Sequence, residues 1–189
     1  NMYSKDYSEF LKLFYGIHVS KLETISGEYL NSTPEPFLLL DLPLPDKSHK
    51  NNDSCKLIEC LDLYTKEELL DDDNKYTIEK TGERVDAKKK ILFWSLPDIL
   101  IITIKRFSNT LKKNKSLVEF PLADLDLSQY VIGYDSKSYV YDLYGICNHM
   151  GGVMGGHYTA CVKNANNKWY HYNDQEITPI ENEDKLISP

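Results

Sequence analysis

Apolar side chains recur at Tyr7, Phe10, Leu11 and Phe14, the i, i+3, i+4, i+7 spacing of one helical face, and Gly16 supplies a stop. From Ile17 to Tyr29 scattered β-branched residues predict a strand, and Pro34-Glu35-Pro36 breaks the pattern after it. Phe37-Leu38-Leu39-Leu40-Asp41-Leu42 predicts a further strand, stopped by Pro43 and Pro45, and the polar stretch 46–54 predicts a surface loop. Thr65-Lys66-Glu67-Glu68 has the form of a capping box, so a short helix is expected to run through Leu69-Leu70. It should end promptly at Asp71-Asp72-Asp73-Asn74, because carboxylates oppose the dipole at a helix C-terminus. Ser95-Leu96-Pro97-Asp98 predicts a turn into the apolar strand Ile99–Ile104, and the lysine-rich stretch 108–116 predicts an exposed hairpin tip. The last third predicts antiparallel sheet: Val140–Ile146, Tyr158–Val162, Trp169–Tyr172 and Ile177–Ile180, with turn chemistry at Asn164–Asn167 and an edge favoured by Pro179. Helices early and a meander late imply an α+β fold.

Composition narrows the classes. A chain of 189 residues, 41% hydrophobic and 27% charged, suits one globular domain or a large piece of one. The 14 tyrosines in a 12% aromatic share argue against disorder. With 22 basic and 29 acidic side chains the net charge is −7, which disfavours nonspecific nucleic-acid binding. The longest apolar run, Ile99–Ile104, is far too short for a bilayer, and no charged-then-apolar leader pattern opens the chain, so no membrane partner is expected. Cys55, Cys60, Cys147 and Cys161 form no C-x-x-C pair. Four free thiols in a reducing compartment, cytoplasmic or nuclear, are expected.

Two segments carry candidate chemistry. Four glycines, Gly151, Gly152, Gly155 and Gly156, precede His157 in a loop that can approach another backbone closely. A histidine where such a loop enters a strand is held on one side and accessible on the other, as a general base requires; a mobile hairpin with an incidental His157 is the equal alternative. In Trp169-Tyr170-His171-Tyr172-Asn173-Asp174, a short hairpin back to the Tyr158 strand would set Asn173 beside His157, where an amide fixes an imidazole's tautomer. The other reading of Asn173-Asp174 is a simple turn after a strand.

In order and spacing these segments resemble the C-terminal part of the catalytic domain of the ubiquitin-specific proteases, from about Phe10 to Leu186. Leu13-Phe14-Tyr15-Gly16 resembles the entry to the family's fingers. Glu35 to Leu44 resembles E-P-F-x-x-L-x-L-P, and Cys60-Leu61 with Tyr64-Thr65 and Glu67-Glu68 resembles C-L-x-x-F-T-x-x-E. Leu96 to Ile102 with Lys105-Arg106-Phe107 resembles L-P-x-x-L-I-I-x-L-K-R-F, Tyr141 to Lys163 the histidine box, and Trp169 to Asp174 the W-x-x-F-[ND]-D box.

The resemblance implies a papain-like, finger–palm–thumb α+β fold, with fingers over roughly 16–95 and palm sheet over roughly 96–186. It implies His157 as catalytic histidine, Asn173 as the third triad member and Asp174 as a supporting acid. It further implies that the glycine loop lies over the ubiquitin tail, with His149, Met150, Gly151, Gly155, Gly156 and Tyr158 contacting substrate. The family's G-N-T-C nucleophile box is not matched, so an N-terminal thumb and nucleophile segment outside these residues is expected as a partner. At the family's zinc positions stand Lys21, Thr24, Thr77 and Lys80, none a usual ligand, so no metal and no cofactor is expected, and His18 nearby reads as a surface histidine. The implied activity is thiol-dependent hydrolysis after the C-terminal glycine of ubiquitin, acting on ubiquitinated proteins; an inactive ubiquitin-binding or scaffold module on the same fold is the alternative.

Overall fold

A computed structural model describes residues 8–46, 54–134 and 139–187. Tyr7 of the expected opening helix and most of the expected loop at 46–54 lie outside the described residues. The fold is α+β and mostly strand, in two interleaved compact units: Asn1–Asp41 with Asp62–Thr103 and Asp126–Val140, and Leu42–Leu61 with Ile104–Leu125 and Tyr141–Pro189.

In the first unit, a helix spans Glu9–Phe14, its start capped by the Ser8 hydroxyl, which accepts from the Phe10 amide at 3.1 Å. Its apolar face is only partly covered: Leu11 and Phe14 are half-buried, while Phe10 is 54% exposed with its ring 4.7 Å from that of Phe14. Gly16 then opens a strand, Gly16–Thr24, where a Cβ would lie 2.4 Å from the Phe37 ring. The four-stranded antiparallel sheet has the order Tyr29–Phe37, Gly16–Thr24, Ala87–Ser95, Glu68–Leu70.

Three expectations are corrected here. The strand expected over Ile17–Tyr29 is two strands, turned at Gly27 with φ 90°. Pro34 and Pro36 do not break the sheet; they lie within its edge strand, opposite Val19 and Ile17, where a residue without an N–H is tolerated on the outer side. The helix expected after Thr65 is a strand, and the helix lies just before it, at Leu57–Tyr64. Leu57, Cys60 and Leu61 bury its i, i+3, i+4 face, and the Glu59 carboxylate accepts from the Lys56 amide at 2.8 Å, one half of a capping box. Thr65 closes that helix, its hydroxyl donating to the Asp62 carbonyl at 3.4 Å.

Phe93, fully buried, holds the sheet's aromatic core, stacked on Tyr64 at 6.0 Å and tilted to Phe37 at 5.9 Å. His18 belongs to this core rather than the surface: its side chain is 15% exposed and stacks on Phe37 at 5.6 Å. Burial first, then the charges of Glu35 and Asp41, push the Tyr64 phenol up. The phenol therefore keeps its proton and donates to His18 Nδ1 at 3.3 Å, leaving Nε2–H to donate to Glu35 at 3.2 Å. Lys21 and Thr24 lie in the strand Gly16–Thr24, where Lys21 pairs with Glu23; Thr77 lies in the short strand Tyr76–Thr77, and Lys80 in the turn after it. Among the described residues no three His, Cys, Asp or Glu side chains are grouped to hold a metal ion, and no helix is long and apolar enough to cross a membrane.

The second unit is built on an antiparallel meander, Gly145–Gly152, Gly155–Lys163, Trp169–Asn173 and Glu176–Ile180, paired in that order. The strand expected over Val140–Ile146 is divided into Val140–Tyr141 and the start of Gly145–Gly152. Cys161, Trp169 and Leu186 form the buried centre, with Leu122, Leu143, Ile146 and Ile180 around it. The 108–116 stretch closes on itself, Ser108 N–H donating to the Lys112 carbonyl at 3.1 Å, with a bridge between Phe107 and Lys113 and Leu111 at φ 61°.

Candidate active site

The glycine-rich stretch is a paired hairpin rather than a loop. Gly151 faces Gly156, Gly152 faces Gly155, and only Val153-Met154 turn between them. Gly151, at φ 138°, could carry no side chain in any case, since its Cβ would lie 2.5 Å from the Gly155 carbonyl. The register sets Met150 opposite His157 and His149 opposite Tyr158. Side chains alternate along a strand, so His157, Thr159 and Cys161 share one face with Met150, while Tyr158 and His149 share the other.

The neighbouring strand brings Asn173 to His157. Ala160 faces Tyr172 and Cys161 faces His171, so Asn173 falls one step further, diagonal to His157. Nε2 of His157 lies 2.6 Å from Oδ1 of Asn173, with both side chains partly buried. An amide oxygen only accepts, so Nε2 carries the proton and the neutral ring has its lone pair on Nδ1. Among the described residues Nδ1 of His157 has no partner. Asp174 is not drawn into this pair. It sits in the turn to the last strand, at φ 49°, without a hydrogen bond or ion pair to another described residue. The two readings of Asn173-Asp174 are thus divided between the residues: Asn173 touches the imidazole and Asp174 makes the turn.

The opposite face of the hairpin borders a surface cavity of about 550 Å³. His149, Gly155, Gly156 and Tyr158 form one wall, and Phe107 and Leu111 another; Met150 and Gly151 do not line it. The His149 ring lies 4.7 Å from Tyr158 and 6.2 Å from Phe107. Lys113, in the stretch expected as an exposed hairpin tip, donates from Nζ to the carbonyl of His149 and to its Nδ1 at 3.2 Å.

None of the four thiols stands beside His157 Nδ1. Cys55 and Cys60 are buried against each other, Sγ to Sγ 3.9 Å. Burial, reinforced by Cys55 and Glu59, pushes the Cys60 thiol up to about 12. Cys161 is buried and raised by that burial, and it lies four residues along the strand from His157, about 13 Å away. Cys147 is exposed but faces Ala160, on the other side of the sheet from His157.

Comparison with known proteins identifies the family and the fold. The family model described as ubiquitin carboxyl-terminal hydrolase matches residues 1–188. Ubiquitin carboxyl-terminal hydrolase 10 of Arabidopsis thaliana is 40% identical over 151 residues, covering 75% of this chain and 16% of the relative. Ubiquitin carboxyl-terminal hydrolase 2 of Gallus gallus is 37% identical over 172 residues, covering 89% of this chain and 47% of the relative. A chain in the solved structure of the SAGA Ubp8/Sgf11/Sus1/Sgf73 DUB module bound to ubiquitin aldehyde superposes with a TM-score of 0.80 at 28% identity, covering all of this chain and 42% of that one. The chain thus spans under half the length of each of these relatives, and its α+β architecture is of the papain-like type. These 189 residues belong to the ubiquitin carboxyl-terminal hydrolase family, in its ubiquitin-specific protease branch.

Proposed function

We propose that the protein is a deubiquitinase that hydrolyses the isopeptide or peptide bond after the C-terminal glycine of ubiquitin, with a cysteine thiolate as nucleophile. The observation that carries this reading is the 2.6 Å contact of His157 Nε2 with Asn173 Oδ1, which leaves Nδ1 as a free base at the end of the sheet. A thiol placed against Nδ1 loses its proton to His157, and the thiolate attacks the carbonyl carbon of the scissile bond. The imidazolium gives that proton to the leaving lysine amine, and a thioester remains. His157 then takes a proton from water, whose oxygen attacks the thioester; the thiol leaves and the carboxylate of ubiquitin is released. Asn173 holds the ring through both halves.

The nucleophile comes from a thumb segment outside these residues, since Cys55, Cys60 and Cys161 are buried and Cys147 is on the wrong face. Ubiquitin and ubiquitinated proteins are the substrates. The tail of ubiquitin runs along the cavity bordered by Gly155, Gly156, His149 and Tyr158 and crosses the glycine end of the hairpin to the His157 face, where its last carbonyl reaches the thiolate beside Nδ1; only glycine leaves room for a second backbone at that crossing. Within this reading roughly 16–95 serve as fingers and roughly 96–186 as palm, and the protein works in the cytoplasm or nucleus. The ubiquitin-aldehyde complex of the structural neighbour supports ubiquitin as the ligand.

The test is His157→Ala in the full protein, assayed on ubiquitin bearing a fluorogenic C-terminal amide. Turnover should fall by roughly 10²–10⁴-fold with ubiquitin Kd little changed. Near-normal turnover in that variant overturns the assignment.

A further inference from the structure

We propose that Lys113 is a positioning residue that fixes the tautomer of His149, so that His149 presents an N–H donor to the backbone of the bound tail. This rests on the substrate reading given above, and it adds a residue from a different segment, 36 positions earlier in the chain.

The chemistry of the contact is one-sided. A lysine ammonium carries donors and no lone pair, so Nδ1 of His149, 3.2 Å from Nζ, accepts and cannot carry a proton. The neutral ring then has its hydrogen on Nε2. The same ammonium donates to the His149 carbonyl, so one side chain clamps both backbone and ring of one residue. The Tyr158 ring packs on the imidazole at 4.7 Å and that of Phe107 at 6.2 Å, which restricts its rotation.

The His149 side chain lines the cavity. An ideal Cβ on Gly156 would lie 2.2 Å from Nε2, so the ring edge occupies the space over the Gly156 backbone, at the wall of the cavity. Among the described residues Nε2 of His149 has no hydrogen-bond partner. A donor with no protein acceptor, beside a glycine backbone, suits a carbonyl oxygen of an extended glycine-ended peptide. Without Lys113 the hydrogen is free to sit on Nδ1, and Nε2 becomes an acceptor facing another acceptor.

The experiment compares wild type, Lys113→Met and Lys113→Arg in the full protein. Long-range ¹⁵N–¹H spectra of the imidazoles read the tautomer of His149 directly, and kinetics on ubiquitin with a fluorogenic C-terminal amide read KM and kcat apart. Wild type and Lys113→Arg should show the Nε2–H pattern. Lys113→Met, which keeps length but no donor, should show a mixed or Nδ1–H pattern and a KM raised about 3- to 10-fold with kcat largely kept. A role confined to packing would leave the tautomer untouched. An unchanged ring spectrum in Lys113→Met overturns the proposal, and so does a changed spectrum with unchanged KM. If wild type cleaves no ubiquitin derivative at all, the deubiquitinase reading fails and with it the substrate half of this proposal, whereas the spectra still decide whether Lys113 sets the tautomer.

Discussion

Nε2 of His149 stands 2.2 Å from the point where Gly156 would carry a Cβ, and the Met150 carbonyl stands 2.5 Å from that point. The absence of a side chain at Gly156 is therefore what leaves room for the imidazole edge over the hairpin backbone. Gly156→Ala must push the ring aside or part the two strands, and the carbonyl contact is backbone that yields little. An overpacked site of this kind costs about 1–3 kcal/mol, which for a domain of this size lowers Tm by about 2–10 °C. KM for ubiquitin substrates should rise in the same variant, since the cavity wall moves. Calorimetry and steady-state kinetics check both, and an alanine variant with wild-type Tm would show that the hairpin adapts freely.

The Asn173 amide has one task in the proposed mechanism, to accept from His157 Nε2–H. Asn173→Asp retains an acceptor at the same distance, so kcat should stay within about threefold of wild type. Asn173→Ala loses the acceptor and lets the ring rotate or change tautomer, so kcat should fall by about tenfold or more. Asp174, held in the turn, is not placed to substitute. Equal kcat values for the alanine and aspartate variants would remove Asn173 from the mechanism.

How much of this was legible in the sequence depended on the range of the interaction. The neighbourhood of His157 and Asn173 could be read because one short turn sets it: Asn164 N–H donates to the Lys168 carbonyl at 3.0 Å and Asn167 N–H to the Asn164 carbonyl at 2.9 Å, with Asn167 at φ 60°, and strand periodicity does the rest. The helix Leu57–Tyr64 carried its own signal in Leu57, Cys60 and Leu61, but the capping-box form of Thr65-Lys66-Glu67-Glu68 placed the expected helix start at Lys66, past the end of the real helix. The central strand Ala87–Ser95 is not announced by its own pattern. Its three lysines hide the apolar pattern, and they are tolerated because neighbouring strands set acids beside them: Glu23 opposite Lys88, Glu68 opposite Lys89, and Glu67 3.5 Å from Lys88. The contact of Lys113 with His149 joins segments far apart in sequence, and nothing local to either residue announces it.

The thiols give a prediction that separates accessibility from ionisation. Cys147 is exposed, while Cys55, Cys60 and Cys161 are buried. Brief treatment of the native protein with iodoacetamide at pH 8, mapped by peptide mass spectrometry, should modify Cys147 and spare the other three. Cys60 should also make stability depend on pH. In the folded chain burial, with Cys55 and Glu59 nearby, raises its thiol to about 12 from an ordinary 9.0. Below pH 9 the thiol is protonated folded and unfolded, and it contributes no slope. Between 9 and 12 the unfolded chain releases this proton and the folded chain keeps it, so the unfolded state gains and stability falls as pH rises. Between pH 8 and pH 10 the loss from this one group should be about 1 kcal/mol. Cys60→Ala should start less stable, because a fully buried side chain leaves a small cavity, yet lose less between those two pH values. Urea unfolding of both proteins at pH 8 and pH 10 measures the difference of slopes, in which every other titrating group cancels to first order. Parallel losses in the two proteins would mean that the Cys60 thiol ionises as readily folded as unfolded, and that the Cys55–Cys60 pair is less sealed from water than its geometry indicates.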